Sequence, residues 1–149
     1  MGNIVRRAHL IGMPVIDGKS GKKIGEISDI IFVNQQEIVE GLVVVLDHWI
    51  KRESVILQRN LATIGEYSVI AHGYISNIIL GKAIIWGRDL IGVKLVREDG
   101  YEIGKVSDIF LNGTDWLING YEFSAGVIDD LISGRGFLPY AIPYNMDNN

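Results

Sequence analysis

Few residues of this sequence could do chemistry, and their spacing favours structural roles. Residues 12–20 partly match a phosphate-binding loop, which places four residues between its first glycine and a Gly-Lys-Ser. This chain has five, and a strand rather than a helix is predicted to follow, so no helix amino terminus would face a phosphate. We expect Lys19, Lys22 and Lys23 to form a solvated turn.

Two aspartates, Asp29 and Asp108, keep the same place in two matching segments. Each follows a serine, Ser28 or Ser107, and lies among isoleucines. Carboxylates in such positions usually accept backbone hydrogen bonds or cap a turn. A metal or proton-transfer role needs neighbouring ligands that the sequence does not supply, so we expect a structural role.

The histidines give no sign of a metal site or a catalytic triad. His9, His48 and His72 share no ligand spacing, and metal sites need three or four converging ligands. The paired acids Asp129 and Asp130 are more simply solvated. We therefore expect no metal, no cofactor and no catalytic residue.

The segments that hold the two aspartates are a duplication. Leu-Ile-Gly at positions 10–12 recurs at positions 90–92, and Ile-Gly-Glu-Ile-Ser-Asp-Ile at positions 24–30 recurs at positions 103–109 as Ile-Gly-Lys-Val-Ser-Asp-Ile. A duplicated unit fixes the domain count and identifies scaffold residues. The shared residues, which predict turns and barrel closure, are Gly12, Gly25, Ser28, Asp29 and Gly41 in the first copy and Gly92, Gly104, Ser107, Asp108 and Gly120 in the second.

This duplication predicts two modules, residues 5–72 and 83–149, joined by a connector at 73–82. Short β-rich runs bounded by Gly, Asn and Asp predict an all-β fold of two small barrels, with a short helix near 127–133. The predicted strands are 10–16, 24–33, 38–46, 55–57 and 67–70 in the first module and 90–96, 103–111 and 117–124 in the second.

The second module is expected to lack a full closing strand, because the chain ends soon after Pro143. An open sheet edge is a liability unless something covers it. We expect the 74–85 segment, the other module or a second subunit to cover this edge. Modules this small gain stability by packing together, so extensive contact between modules or subunits is predicted.

The composition indicates a globular protein. Of the 149 residues 48% are hydrophobic and 21% are charged, and the net charge of −4 disfavours nonspecific nucleic-acid binding. The chain has no cysteine, its start lacks the apolar core of a signal peptide, and its most apolar stretch, residues 75–86, is too short to span a membrane. We expect a cytoplasmic location.

Leu-Ile-Gly, an apolar strand, a glycine-containing turn and Ile-Gly-x-Ile/Val-Ser-Asp-Ile together resemble the PRC-barrel family. The family is named after the cytoplasmic domain of the photosynthetic reaction-centre H subunit, and its fold also appears in a bacterial ribosome maturation factor. The resemblance covers residues 8–70 and 88–142, with 64–70 similar to the closing strand and Leu138-Pro139 to the penultimate one. It implies a small β-barrel used mainly for docking, without common catalytic residues.

Function is expected where the two copies differ. Residues 47–52 and 134–140 each mix aromatic and basic groups, which is typical of interface cores, although these groups could simply close a barrel end. The candidate docking residues are Trp49, Arg52, Arg135, Phe137 and Tyr140. We expect a non-catalytic protein-binding or scaffolding protein, self-associating as a homo-oligomer. An RNA- or ribosome-associated factor is the alternative, which the acidic balance disfavours.

Overall fold

The computed structural model describes residues 3–33, 38–46, 52–73, 84–124, 136–139 and 145–147. Within these ranges β-strands predominate, so the predicted all-β class is confirmed. The predicted helix at 127–133 and nearly all of the predicted connector lie outside the described residues. The module boundaries at 5–72 and 83–149 stay predictions.

We call residues 3–73 the first half of the chain and residues 84–147 the second half. The first half contains β1 (Ile4–Arg6), α1 (Arg7–Leu10), β2 (Pro14–Asp17), β3 (Lys23–Val33), β4 (Val39–Leu46), β5 (Glu53–Leu57), a 3₁₀ turn (Gln58–Asn60), β6 (Leu61–Ile64) and β7 (Val69–Ala71). The second half contains β8 (Ile84–Trp86), α2 (Gly87–Leu90), β9 (Lys94–Val96), β10 (Glu102–Asn112), β11 (Ile118–Ser124), β12 (Gly136–Pro139) and β13 (Asn145–Asp147).

Two segments predicted as strands begin with a helical turn instead. In α1 the amide of Ile11 donates to the carbonyl of Arg7 at 3.1 Å. Gly12 follows with a φ of 86°, a left-handed conformation that glycine adopts without steric cost. The predicted strands at 10–16 and 90–96 are therefore wrong over their first residues, because a short apolar run does not distinguish a helical turn from a strand.

Each half builds a mostly antiparallel sheet around one long strand. In the first half the strand order is β5-β4-β3-β2-β7-β6, and in the second half it is β12-β11-β10-β9-β13. The long strands β3 and β10 each span 11 residues. A strand this long can pair with two successive neighbours along one edge, and in both sheets it does.

The first strand of each half joins the sheet of the other half. β1 pairs antiparallel with the end of β10, where Val5 lies opposite Leu111, and β8 pairs with the end of β3, where Ile85 lies opposite Phe32. When the two copies of the duplication are aligned, Val5 corresponds to Ile85 and Leu111 corresponds to Phe32. The halves therefore exchange equivalent strands reciprocally.

The closing strands of the two halves differ. The strand predicted at 67–70 is present as β7, which begins at Val69. Residues 64–70, which resemble the closing strand of the family, are divided by a turn between β6 and β7, where the Gly65 amide donates to the Ser68 carbonyl at 2.9 Å. β7 then runs parallel to β2. In the second half the prediction that the 74–85 segment, the other module or a second subunit covers an open edge is wrong at β9. The three-residue strand β13 of the same half pairs with β9 there, running antiparallel with Met146 opposite Leu95.

One hydrophobic core contains residues of both halves. Leu10 and Ile30 of the first half and Leu95 and Ile109 of the second are fully buried within it. Burying such a side chain contributes about 1.5–3 kcal/mol. Separating the halves would expose part of this core, so the predicted extensive contact is present within the chain itself.

Candidate functional site

A β-bulge in each long strand directs the shared aspartate to the contact between the halves. The register of β3 against β4 shifts between Ile27 and Asp29, and that of β10 against β11 shifts between Val106 and Asp108. The inserted residues are the shared serines. A bulge bends its strand and re-aims side chains, which explains how a carboxylate on an apolar strand reaches the junction.

The Asp29 cluster consists of Arg7, Ser28, Asp29, Glu53 and Arg88. Asp29 is fully buried. Its Oδ1 accepts hydrogen bonds from Arg7 Nε at 2.9 Å and from the Ile30 amide at 2.8 Å. Its Oδ2 accepts from the Arg88 amide at 3.1 Å and from Arg88 Nε at 2.8 Å. A carboxylate has about four lone-pair sites, so these donors saturate Asp29.

The Asp108 cluster consists of Arg6, Ser107, Asp108 and Glu122, together with the backbone of Ala8. Asp108 is 4% exposed. Its Oδ1 accepts from the Ala8 amide at 3.1 Å and from the Ile109 amide at 2.8 Å, and its Oδ2 lies 3.2 Å from Arg6 Nε. The described residues thus give Asp108 one arginine, where Asp29 has two.

A glutamate links the serine to the arginine in each cluster. Ser28 Oγ donates to Glu53 Oε2 at 3.0 Å, and Ser107 Oγ donates to Glu122 Oε1 at 3.1 Å. Arg88 Nη2 lies 2.6 Å from Glu53 Oε2, and Arg6 pairs with Glu122. Glu53 lies on β5 and Glu122 on β11, so non-equivalent positions supply the same link.

Electrostatics within the Asp29 cluster favour the charged forms. The hydrogen bond from Arg88 holds the pKa of Glu53 below its ordinary value, and the bond from Ser28 acts in the same direction. Glu53 and then Asp29 raise the pKa of Arg88. Arg88 also stacks on Trp86, with its guanidinium carbon 4.7 Å from the ring centroid. These contacts fix the guanidinium in one place.

This arrangement suits holding two pieces of chain together better than catalysis. A general base needs a lone pair that faces its substrate, whereas the lone pairs of buried Asp29 are already occupied. Within the described ranges, no group of three or more His, Asp and Glu side chains is placed to bind a metal ion. His9 instead lies with its Nε2 3.1 Å from the Glu66 carbonyl.

The shared glycines lie at turns and at close approaches of the backbone. Gly12 and Gly92 have φ values of 86° and 90° in matching turns. A Cβ on Gly25 would lie 2.1 Å from the Val45 carbonyl oxygen, and one on Gly41 would lie 2.5 Å from that of Ile56. Gly104 and Gly120 lie within β10 and β11.

The structure places only part of the predicted docking surface. Trp49, Arg135 and Tyr140 lie outside the described residues. Arg52 is exposed, and its carbonyl accepts a hydrogen bond from the Leu46 amide at 3.1 Å. Phe137 belongs to β12, where its backbone lies opposite Glu122.

Sequence reasoning missed the residues that complete both clusters. Three are arginines and two are glutamates, namely Arg6, Arg7, Arg88, Glu53 and Glu122. The duplication carries a signal for their placement, because the stretches that lead into Leu-Ile-Gly begin Ile-Val at positions 4–5 and Ile-Ile at positions 84–85. Extending the repeat upstream would have predicted β1 and β8, although not the arginines, which align with Trp86, Gly87 and Ala8 in the other copy.

A pocket of about 380 Å³ lies beside the Asp108 cluster, where β1 meets the turn between β6 and β7. Its lining residues are Asn3, Ile4, Val5, Arg6, His9, Gly65 and Glu66. The volume suits a small molecule. However, the Arg6 guanidinium is already held by Asp108 and Glu122, which leaves it poorly placed to select an anionic ligand.

The two helices within the described residues have four residues each, too few to cross a membrane.

Comparison with known proteins identifies the family of this chain. No curated protein matches the chain. The family model described as PRC-barrel domain matches residues 2–81, more than half of the chain, a stretch that includes Asp29 and its bulge. The chain therefore belongs to the PRC-barrel domain family.

Proposed function

We propose that this protein is a non-catalytic binding or scaffolding protein of the cytoplasm, built from two PRC-barrel units in tandem. The units occupy residues 5–72 and 83–149. The partner is another protein, and the chain also self-associates. The absence of cysteine fits a reducing compartment, since such a chain has nothing to gain from disulfide formation.

The observation that carries this proposal is the set of contacts made by the aspartates that both halves share. Asp29 and Asp108 are buried and bind the backbone and arginines where one half meets the other. Side chains that serve catalysis would be expected to face a cleft with lone pairs or protons that are free to contact a substrate. These residues instead stabilise an association between two pieces of fold, which is the behaviour of a docking module.

A second unit in residues 83–149 is supported by matching contacts rather than by the family model. Ala8 and Arg88 occupy equivalent positions ahead of the two Leu-Ile-Gly segments, and their amides donate to Asp108 and Asp29 respectively. Equivalent bulges, strands and turns recur in the same order. A duplicated barrel accounts for all of these together.

We propose the loop that contains Trp49 and Arg52 as the main docking surface, with Arg135, Phe137 and Tyr140 at the matching place in the second unit. Arg52 is exposed next to the edge strand β5. Arginine and aromatic side chains carry a large share of binding energy at protein interfaces. The position of Arg52 next to the edge strand β5 would let a partner contact its side chain and the strand backbone together.

The test is affinity purification of the tagged full-length chain from its native cell, with partners identified by mass spectrometry. We compare the unchanged chain with the Trp49→Ala/Arg52→Ala variant and with Tyr67→Ala as a matched control. Tyr67 is 77% exposed and lies in the turn between β6 and β7. We expect the first variant to lose a partner at least tenfold and the control to retain it.

Reconstitution decides between the two functional classes. A partner protein purified separately should bind the full chain directly and should not bind the Trp49→Ala/Arg52→Ala variant. Partner capture that disappears after RNase treatment, or that falls steeply with salt, would instead favour the ribosome-associated alternative. Equal capture by all three chains would overturn the proposed surface.

A further inference from the structure

The contact between the halves has the form of a two-fold interface. The β1–α1 segment lies on β10 and Asp108, while the β8–α2 segment lies on β3 and Asp29. In such an interface each element contacts its partner's equivalent, as in an isologous dimer. Residues near the axis therefore meet their own equivalents, so their identities decide which units can pair.

Arg7 and Gly87 are equivalent when the two Leu-Ile-Gly segments are aligned, and they meet at this axis. A Cβ built on Gly87 would lie 2.7 Å from Asp29 Oδ1, 2.8 Å from Arg7 Nε and 2.9 Å from the Cγ1 of Ile30. Real Cβ atoms do not approach other atoms this closely. The Arg7 side chain thus reaches Asp29 across a space that is open only because residue 87 is glycine.

At this point the first half carries a long side chain and the second half carries none. Arg7 is 16% exposed at its side chain and Gly87 is buried. If a second copy of the first half took the place of the second half, an arginine would stand where Gly87 stands. Two guanidinium groups would then compete for one space beside the axis, and their charges would repel.

We propose that Arg7 and Gly87 are a specificity pair for the association of PRC-barrel units. The first half accepts a unit that carries glycine at the position of Gly87, and it rejects a unit with a side chain there, including a second copy of itself. The inference rests on the proposed tandem of two units. It explains how two similar units avoid pairing like with like, which is a common use of steric and charge mismatch in specific interfaces.

The first test exchanges the pair in the full chain. Gly87→Arg should raise the equilibrium constant for unfolding at least tenfold, or prevent folding. Adding Arg7→Gly should recover most of this loss, because the arginine at position 87 would reach Asp108 as Arg7 reaches Asp29. The matched control is Gly87→Arg with Arg7→Ala. The Cβ that alanine places at position 7 would obstruct the arginine at position 87, just as a Cβ at position 87 would obstruct Arg7. This variant should therefore recover less stability than Arg7→Gly does.

The second test imitates like-with-like pairing within the full chain. Five substitutions, Ile85→Val, Trp86→Arg, Gly87→Arg, Arg88→Ala and Asp89→His, give positions 84–92 the sequence of positions 4–12. The control carries the other four substitutions and keeps Gly87. We expect the control to fold cooperatively and the five-substitution chain to unfold at least tenfold more readily, with Arg7→Gly restoring it.

The outcomes separate this inference from the proposed function. Urea unfolding followed by tryptophan fluorescence measures both series. Unfolding constants within twofold of each other for the five- and four-substitution chains, or no recovery on adding Arg7→Gly, would overturn the specificity pair. Neither result depends on whether Trp49 and Arg52 bind a partner. Failure of the partner-capture experiment would conversely leave these unfolding measurements unaffected.

Discussion

Asp29 and Asp108 occupy equivalent positions in the two halves, yet arginines at non-equivalent positions neutralise them. Asp29 binds Arg7 and Arg88, whereas Asp108 binds Arg6. The donors common to both are backbone amides, those of residues 8 and 88 and of the residue after each aspartate. The fold thus fixes the positions of the carboxylate and its backbone donors, whereas the guanidinium group is supplied by different sequence positions in the two halves.

This difference makes one cluster redundant and the other dependent on a single arginine. A buried carboxylate without a positive partner is strongly destabilising, because its loss of hydration is not compensated. Asp29 keeps one arginine if either Arg7 or Arg88 is lost. Asp108 keeps none of those described once Arg6 is lost. Mutations at the two clusters should therefore have different energetic patterns.

The largest effect of a single substitution is expected at Asp29. Asp29→Asn should lower the free energy of unfolding by about 3–5 kcal/mol, the range for breaking a buried ion pair. Asp108→Asn should cost less, roughly 1.5–3 kcal/mol, since it loses a single charged partner. Urea unfolding of both variants measures the difference. A larger loss for Asp108→Asn would contradict the comparison.

Redundancy can be tested by removing the arginines. We expect Arg6→Met to cost about 2–3 kcal/mol, because it leaves Asp108 buried without a guanidinium group. Arg7→Met and Arg88→Met should each cost less, roughly 1–2 kcal/mol, since the other arginine still binds Asp29. Methionine keeps much of the apolar stem, so the change isolates the charge.

A double-mutant cycle sharpens this test. The Arg7→Met/Arg88→Met variant should be destabilised by more than the sum of its single changes, with a coupling of about 0.5–3 kcal/mol. Arg6→Met combined with Arg88→Met joins two different clusters and serves as the control. Its costs should add. Strict additivity in the first pair would mean that the two arginines do not share one carboxylate in solution.

The shared glycines provide a symmetrical reference for these asymmetric clusters. Gly12→Ala and Gly92→Ala place a Cβ on residues with φ near 90° in matching turns, where no atom beyond the adjoining residues lies within 4 Å of that Cβ. The cost is therefore conformational, about 1–2 kcal/mol at each site. Equal shifts in the unfolding midpoint are expected. Clearly unequal shifts would show that the two turns are less alike than their sequences.

Residue patterns predicted the strands of this fold better than the contacts between them. The long strands β3 and β10 follow from continuous β-rich runs, and the bulges lie where Ser-Asp interrupts those runs. The exchange of β1 and β8 was missed. Such short strands carry too little periodicity to be recognised alone, and pairing between distant parts of the chain is a tertiary property.

The candidate site was predictable only where both copies agree. Asp29 and Asp108 recur, so their structural role could be inferred from the duplication. Arg7, Arg88 and Glu53 have no matching residue in the other half, because the same network was built there from Arg6 and Glu122. Comparison of copies finds shared residue identities, and it overlooks a contact that is retained while its residues change place.

The smallest predicted effect concerns pH. Arg88 holds the pKa of Glu53 in the folded protein below its ordinary value in an unfolded chain. The carboxylate's stabilising contribution is thus complete above the unfolded pKa and is lost as the pH falls through the folded pKa. The unchanged protein should lose more stability than Glu53→Gln on acidification from about pH 5 to pH 3. Since Glu53 is 37% exposed, solvent screening should keep the difference below about 1 kcal/mol.

Removal of Arg88 provides the control for this pH dependence. In an Arg88→Met background the main cause of the lowered pKa is absent, so Glu53→Gln should change the acid limb of the stability curve less than it does beside Arg88. The measurement is the urea midpoint at a series of pH values for the four chains of the cycle. If Glu53→Gln has the same effect with and without Arg88, then the Arg88–Glu53 pair does not stabilise the Asp29 cluster in solution. The asymmetry between the two clusters would then rest on the bonds that Arg7 and Arg88 make to Asp29.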